Sequence, residues 1–354
     1  MKKLKVAVVG VGSISRMHIK SYKNNPNVEL YAFCDINENT LQKKGEEYGV
    51  TRLYTDEQKM LDELPEIDIV SVCTWNCAHA KCSIMALNAG KDVLCEKPMA
   101  MNAQEAEEMI AAAKRNGRKL MIGFVRRFGS DAKVVKDFID NDALGDIYYA
   151  KASYLRRNGN PGGWFGDKKR SGGGPLIDLG VHVIDLTRYL MGNPKPVSVY
   201  GATFHKLGDR RELKDKVLSY TSIGKSADDI CDVEDMATAL IRYDNGAVLS
   251  VEASFSLNLK SDTGSVDLFG TKGGMKLDPE VELYTQLNGY LADATLKRST
   301  KFDFDGSFQS EINYFVDAVM TDKDLSSIAE DGLQLMKILD AIYLSAEKKA
   351  EVVL

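Results

Sequence analysis

The chain has 354 residues, 44% of them hydrophobic, with 46 Lys and Arg against 51 Asp and Glu for a net charge of −5. That length accommodates two domains with full cores, and the acidic balance leaves no basic footprint for nucleic acid. No apolar run reaches the ~18 residues of a membrane span, so neither nucleic acid nor a membrane is an expected partner.

The opening MKKLKVAVVG reads as a first β-strand rather than a secretory leader, because its apolar run is short and no small-residue cleavage pattern follows. Further β-branched, apolar runs lie at 28–34, 67–74, 92–95 and 120–124, with a shorter one at 52–54. Helical patterns at 15–24, 38–48, 77–89 and 103–116 separate most of them. Short apolar strands alternating with helices predict an α/β fold over 1–124, a doubly wound parallel sheet covered on both faces. After Phe124 the rhythm changes. A helix near 131–140 leads to a strand at 147–156, a polar glycine-rich loop at 157–174 and an apolar helix up to Leu190. Strand-like stretches follow at 197–204, 236–243, 247–255, 265–269 and 281–284, and helices at 309–320 and 329–348 close the chain. Asp244-Asn245-Gly246 marks a hairpin. Residues 125–354 therefore read as a second domain of the α+β kind, built on a large, mostly antiparallel sheet.

Six cysteines are scattered without a framework, which predicts a reducing, cytoplasmic setting. Cys73, Cys77 and Cys82 with His79 match no zinc spacing, and no metal is expected.

The phosphate signal is Gly10-Val-Gly12-Ser13-Ile14-Ser15, directly after the first strand and at the mouth of the first helix. Gly10 permits a tight turn, Gly12 lets a pyrophosphate approach the helix N-terminus, and the small Ser15 takes the place of a third glycine. Asp35 ends the second strand at the distance of a ribose-binding carboxylate. Ile36 and Asn37 bring no charge for a 2′-phosphate, and Asp35 repels one, so NAD is favoured over NADP. Cys95-Glu96-Lys97-Pro98 lies at the carboxyl end of the fifth strand. There Lys97 either polarises a substrate oxygen or merely pairs with Glu96 at the surface. Asp178, His182 and Asp185 form one polar stripe, within about 60° on an otherwise apolar helix. Burying unpaired charge costs several kcal/mol, so the stripe needs partners, a ligand or a wet cavity.

The ordered set of G-x-G, Thr74-Trp75-Asn76-x-x-His79, Glu96-Lys97-Pro98 and Asp178-x-Gly180-x-His182 resembles the Gfo/Idh/MocA oxidoreductases over essentially the whole chain. The resemblance implies a Rossmann domain followed by an α/β domain whose open sheet often makes a homodimer or homotetramer interface. It places Thr74, Trp75, Asn76, His79, Glu96 and Lys97 beside the cofactor, with Trp75 where the family usually has proline. It also implies that Lys97, Asp178 and His182 are the catalytic group of an NAD(P)-dependent dehydrogenase acting on CH–OH groups of a sugar, polyol or cyclitol. Oxidising a secondary alcohol needs a base for the hydroxyl proton, and histidine titrates near the working pH. His182 is thus the expected acid/base, Lys97 the oxygen holder and Asp178 its helper, with Asp185 structural. Arg126, Arg156, Asn158 and Trp164 are candidate substrate contacts, although the basic loop around Lys168, Lys169 and Arg170 also reads as a solvated face. Two other functional classes fit the same residues: a glycosidase-type enzyme using tightly held NAD for transient oxidation, and a sugar or NAD sensor without catalysis.

Overall fold

Six short strands whose side chains are mostly buried make the first sheet: β1 (Leu4–Val9), β2 (Val28–Cys34), β3 (Leu53–Tyr54), β4 (Ile69–Val72), β5 (Asp92–Glu96) and β6 (Leu120–Gly123). A computed structural model describes residues 3–210, 212–214, 229–297 and 300–354. The strand order is β3-β2-β1-β4-β5-β6, every pair parallel. β4 and β5 are buried at every position, as a sheet covered on both faces requires. The covering helices are α1 (Ser15–Asn24), α2 (Glu38–Tyr48), α3 (Glu57–Glu63), α4 (Asn76–Asn88) and α5 (Ala103–Asn116). Their limits have local causes. Asn37, Asp56 and Asn102 each cap a helix by accepting a backbone N–H three residues on, and Gly117 in the left-handed region ends α5. The strand order reverses between β1 and β4, which opens the ligand crevice of this topology at their carboxyl ends.

The chain divides into two compact units, Met1–Phe124 with Phe308–Met336, and Val125–Ser307 with Lys337–Leu354. A single cut near residue 124 assigns Phe308–Met336 to the second domain, but this segment packs within the first. Phe308 lies against His18 with ring centroids 5.6 Å apart, Asn25 Nδ2 donates to Asn313 at 2.9 Å, and Lys119 pairs with Asp322 at 2.6 Å.

The second unit holds a nine-stranded sheet of β7 (Ile147–Leu155), β8 (Pro196–Phe204), β9 (Met236–Tyr243), β10 (Val248–Ser254), β11 (Thr263–Gly270), β12 (Gly273–Leu277), β13 (Glu282–Leu287), β14 (Tyr290–Thr295) and β15 (Val352–Val353). Its order is β14-β13-β12-β11-β7-β10-β9-β8-β15, antiparallel except for β7 with β10. Alternation sets its two faces: Ala237, Ala239, Ile241 and Tyr243 of β9 are buried, whereas Leu240 and its cross-strand neighbour Tyr200 are about half exposed. The Asp244–Gly246 turn joins β9 to β10, with Gly246 at φ +84°. Helices α6 (Ser130–Asp140), α7 (Lys168–Ser171) and α8 (Val181–Leu190) precede β8, and α9 (Phe304–Met320) and α10 (Ser326–Lys348) lie between β14 and β15. Among the described residues no helix is long and apolar enough to cross a membrane.

Candidate functional site

In the first unit the site begins at the β1–α1 turn. Gly10 stands at φ +83°, and a Cβ there would lie 2.7 Å from the Cys73 carbonyl oxygen, so the fold itself requires glycine. Gly12 differs. Its φ is ordinary and a Cβ would meet no atom within 4 Å. Protein packing gives no reason for glycine here, and the open space suits a phosphate drawn to the N–H groups that open α1. Ser13 is exposed, Ile14 is half-buried, and buried Ser15 donates its hydroxyl to the Gly12 carbonyl at 2.7 Å. Asp35 closes this corner, its Oδ2 accepting from Val11 N–H and its Oδ1 from Asn37 N–H, both at 2.8 Å. Each oxygen keeps a lone pair for a ribose hydroxyl. Gly12→Ala is therefore expected to leave thermal stability unchanged. It should weaken NAD binding at least about tenfold through loss of one charge-assisted hydrogen bond. Gly10→Ala is expected to destabilise the fold by at least about 1 kcal/mol. Thermal melts and an NAD titration of both variants separate the two effects.

At the ends of β4 and β5 the polar residues divide sharply. Trp75 is 38% exposed, so it fills no core gap. Its backbone at φ −70° sits where a proline ring would hold it, and tryptophan leaves the turn geometry intact. Asn76 opens α4 and is buried. His79 is 1% exposed, with Nδ1 2.7 Å from the Pro98 carbonyl and Nε2 3.2 Å from that of Thr74. Burial lowers its pKa, and a neutral imidazole has one N–H, which the shorter contact to Pro98 takes. Glu96 is 4% exposed. Its Oε1 lies 2.7 Å from His18 Nε2, and its Oε2 accepts the Lys97 N–H at 3.1 Å. Glu96 and His79, expected beside the cofactor, are thus both buried and hydrogen-bonded to groups of the protein. Lys97 is the half-buried exception in a stretch from Lys91 to Ala100 that is otherwise buried.

In the second unit the polar stripe resolves into two parts. From Gly173 to Arg188 every residue is buried except Asp178 and His182, both half-buried. Asp185 is 2% exposed and takes a bidentate pair from Arg127, at 2.9 Å from Nε and 2.6 Å from Nη2. The helix is not uniform. Leu176–Gly180 is a π turn that passes into α8 at Val181, placing a widened turn between Asp178 and His182. Its start is held by Glu234, a residue that nothing in the local spacing singled out. The Glu234 carboxylate accepts from Gly174 N–H at 3.0 Å, Leu176 N–H at 3.2 Å and the Tyr343 hydroxyl at 2.9 Å. Burial pushes its pKa up against these hydrogen bonds. Gly173 and Gly174 allow this close approach, because Cβ atoms there would lie 2.0 Å from Tyr343 Oη and 2.2 Å from the Glu234 carbonyl oxygen.

Of the candidate substrate contacts, Arg126 pairs with Asp131 at 3.1 Å and Asp278 at 2.9 Å and stacks over Phe302. Its charge is already matched within the unit. Arg156 donates to the Gly159 carbonyl at 3.0 Å and shapes its own loop. Trp164 is half-buried and stacks on Phe165 with centroids 4.0 Å apart, and Asn158 is buried beside Ser256. Lys168, Lys169 and Arg170 are exposed. Among the described residues no group of three or more His, Cys, Asp or Glu is placed to hold a metal ion.

These features define a Rossmann-type, dinucleotide-binding oxidoreductase with an appended α/β domain. The chain belongs to the Gfo/Idh/MocA family: residues 4–124 match its oxidoreductase, NAD-binding Rossmann fold, and residues 136–354 its C-terminal alpha/beta domain. It is 35% identical to a D-glucoside 3-dehydrogenase of Escherichia coli, over 97% of this chain and 95% of that protein. It is 27% identical to a myo-inositol 2-dehydrogenase of Thermotoga maritima, over 99% and 98%. An aldose–aldose oxidoreductase of Caulobacter crescentus, solved with glycerol, superposes with a TM-score of 0.81 at 27% identity and 100% coverage of both chains. NAD is the cofactor of this fold, and the open cradle at Gly12 with the Asp35 carboxylate fits it.

Proposed function

We propose that the chain oxidises a secondary hydroxyl of a glucoside or a related sugar, polyol or cyclitol, with His182 as acid/base, Lys97 and Asp178 as its partners, and NAD as cofactor. The observation that carries this reading is the half-burial of Asp178 and His182 on a segment whose other side chains, from Gly173 to Arg188, are buried. A buried helix that keeps a carboxylate and an imidazole reachable from solvent is fitted to bind hydroxyls and move a proton. NAD, held by Gly10, Gly12, Ser13, Ile14 and Asp35, supplies the hydride acceptor. His182 takes the hydroxyl proton. Lys97 stabilises the negative charge that grows on the oxygen, and Asp178, a turn before His182, orients the imidazole or a neighbouring substrate hydroxyl. The similarity to a D-glucoside 3-dehydrogenase supports a glycoside among the substrate candidates.

In the same reading, Met1–Phe124 serves nucleotide binding and the region after Phe124 serves the substrate and self-association. Tyr200 and Leu240, side by side on the open face of the nine-stranded sheet, are the apolar contacts a second copy would cover. Light scattering that returns a monomer removes the association.

The test is NADH formation against alkyl and aryl glucosides, free aldoses, inositols, polyols and sugar acids, with NAD and NADP in parallel. Turnover confined to one hydroxyl-bearing class supports the proposal. Silence across the panel with NAD firmly bound favours a redox-assisted glycosidase or a sensor. Asp35→Asn keeps an oxygen for Val11 N–H but loses the charge that repels a 2′-phosphate. It is expected to lower the NAD-over-NADP preference in kcat/KM by about tenfold. An unchanged preference removes Asp35 from cofactor choice.

A further inference from the structure

Glu96 uses both carboxylate oxygens without reaching for a ligand. One meets His18 Nε2 at 2.7 Å, and the other accepts the backbone N–H of Lys97 at 3.1 Å. His18 belongs to α1, the helix that opens on the Gly10–Gly12 turn, and is fully buried, its Nδ1 lying 2.8 Å from Ser71 Oγ on β4. Burial opposes a charged imidazole, but Cys73 and the Glu96 carboxylate outweigh it and hold His18 well above the ordinary histidine range. For Glu96 burial likewise opposes the charge, and His18 with Lys97 and His79 keeps the carboxyl below its ordinary range. The two are therefore an ion pair at neutral pH. Two apolar side chains of the same volume serve stability as well as a buried ion pair or better, so stability alone gives little reason for this one. On the other flank of Lys97, His79 holds the Pro98 carbonyl at 2.7 Å. The residue between these two buried histidine contacts is the one half-buried side chain of the stretch.

We propose that the buried His18–Glu96 pair is the positioning device for Lys97, tying the helix of the cofactor cradle to the strand end that presents the lysine. Neither residue touches substrate. Glu96 fixes the backbone from which the lysine side chain departs, and His18 fixes Glu96. Cradle and lysine are then registered through one hydrogen-bonded chain from α1 to β5. The inference rests on the reading that Lys97 acts on the substrate oxygen, and its test is arranged to fail separately from that reading.

The test is a double-mutant cycle of His18→Gln and Lys97→Met, read as single-turnover NADH formation on a glucoside that the intact enzyme oxidises, with NAD affinity measured by titration. Lys97→Met is expected to slow turnover about 10³-fold. His18→Gln alone is expected to slow it about 30-fold, the effect of a sub-ångström displacement of a reacting group. NAD affinity should stay within about twofold, and in the Lys97→Met protein the same substitution should change the residual rate by less than about twofold. Equal factors in both backgrounds overturn the positioning role, as does a His18→Gln protein with intact turnover and weakened NAD binding. A Lys97→Met protein that turns over normally removes Lys97 from the reaction and the positioning role with it. If His18→Gln does not fold, Glu96→Gln enters the same cycle, since it keeps side-chain volume and an acceptor for Lys97 N–H while removing the ion pair.

Discussion

His182→Ala is expected to lower kcat by about 10³-fold, within the range that a positioned general base contributes, with NAD affinity and unfolding midpoint close to those of the parent. The structural ground is the contrast along one helix. His182 is half-buried in the middle of buried neighbours, whereas Asp185, three residues on, is enclosed and fully engaged by Arg127. Truncating a half-buried side chain costs less packing than truncating an enclosed one, so the larger loss falls on chemistry rather than on folding. Substrate KM should move much less than kcat if the imidazole acts mainly in the transition state. Added imidazole should restore part of the rate by filling the truncated space. Turnover near the parent value, with the substrate that the panel identifies, leaves His182 a helix residue without a part in the proton transfer.

The parts of this site that the sequence reveals are the parts made by neighbours in sequence. The Gly10–Ser15 turn and Asp35 are legible because strand, turn and helix follow one another within a single unit of the doubly wound fold. The polar stripe at 178, 182 and 185 is legible because helical period alone brings it to one side. What stays hidden is set by long-range partners. Arg126 attracts notice as a candidate anion receptor, but it is the next residue, Arg127, that reaches across 58 positions to Asp185. Glu234 holds the start of the helix that carries Asp178 and His182 from about 60 residues away, and an acidic residue just before a strand carries no mark of that task. The π turn at Leu176–Gly180 is invisible because one extra residue in a turn shifts Asp178 relative to His182 too little to break the stripe they share. Helix α3 is too short for periodicity to show. The strand read at 281–284 is the start of β13, but β14 stays hidden because it is exposed at all but one position and carries no apolar alternation. The return of Phe308–Met336 to the first unit depends on contacts with α1 and the β5–β6 region, where Gly332 sits close to Met99 and Ile122, and no composition shift announces it.

Asp185→Asn is expected to cost about 3–5 kcal/mol of unfolding free energy, because it takes the opposite charge of the bidentate pair away from the buried Arg127 guanidinium. The side chains are 7% and 2% exposed, so water cannot substitute for the lost carboxylate. Arg127 also lies over the Tyr189 ring, 5.0 Å from its centroid, so the same cation braces α8 at two points. A companion variant separates stability from placement. Arg127→Met with Asp185→Leu removes both charges together, and most of the lost stability should return because no buried ion remains to be desolvated. Turnover should not return with it. Two apolar side chains fill the volume but do not specify the rotation of α8 as a two-pronged hydrogen bond does, and His182 lies less than one turn before Asp185 on that helix. Urea unfolding and kcat measured on the three proteins should therefore disagree in rank: the double variant close to the parent in stability, yet well below it in rate. If the double variant recovers both, the Arg127–Asp185 pair serves only to balance charge. The orientation of His182 must then be set without that pair, with the π turn and its Glu234 anchor holding the start of the helix.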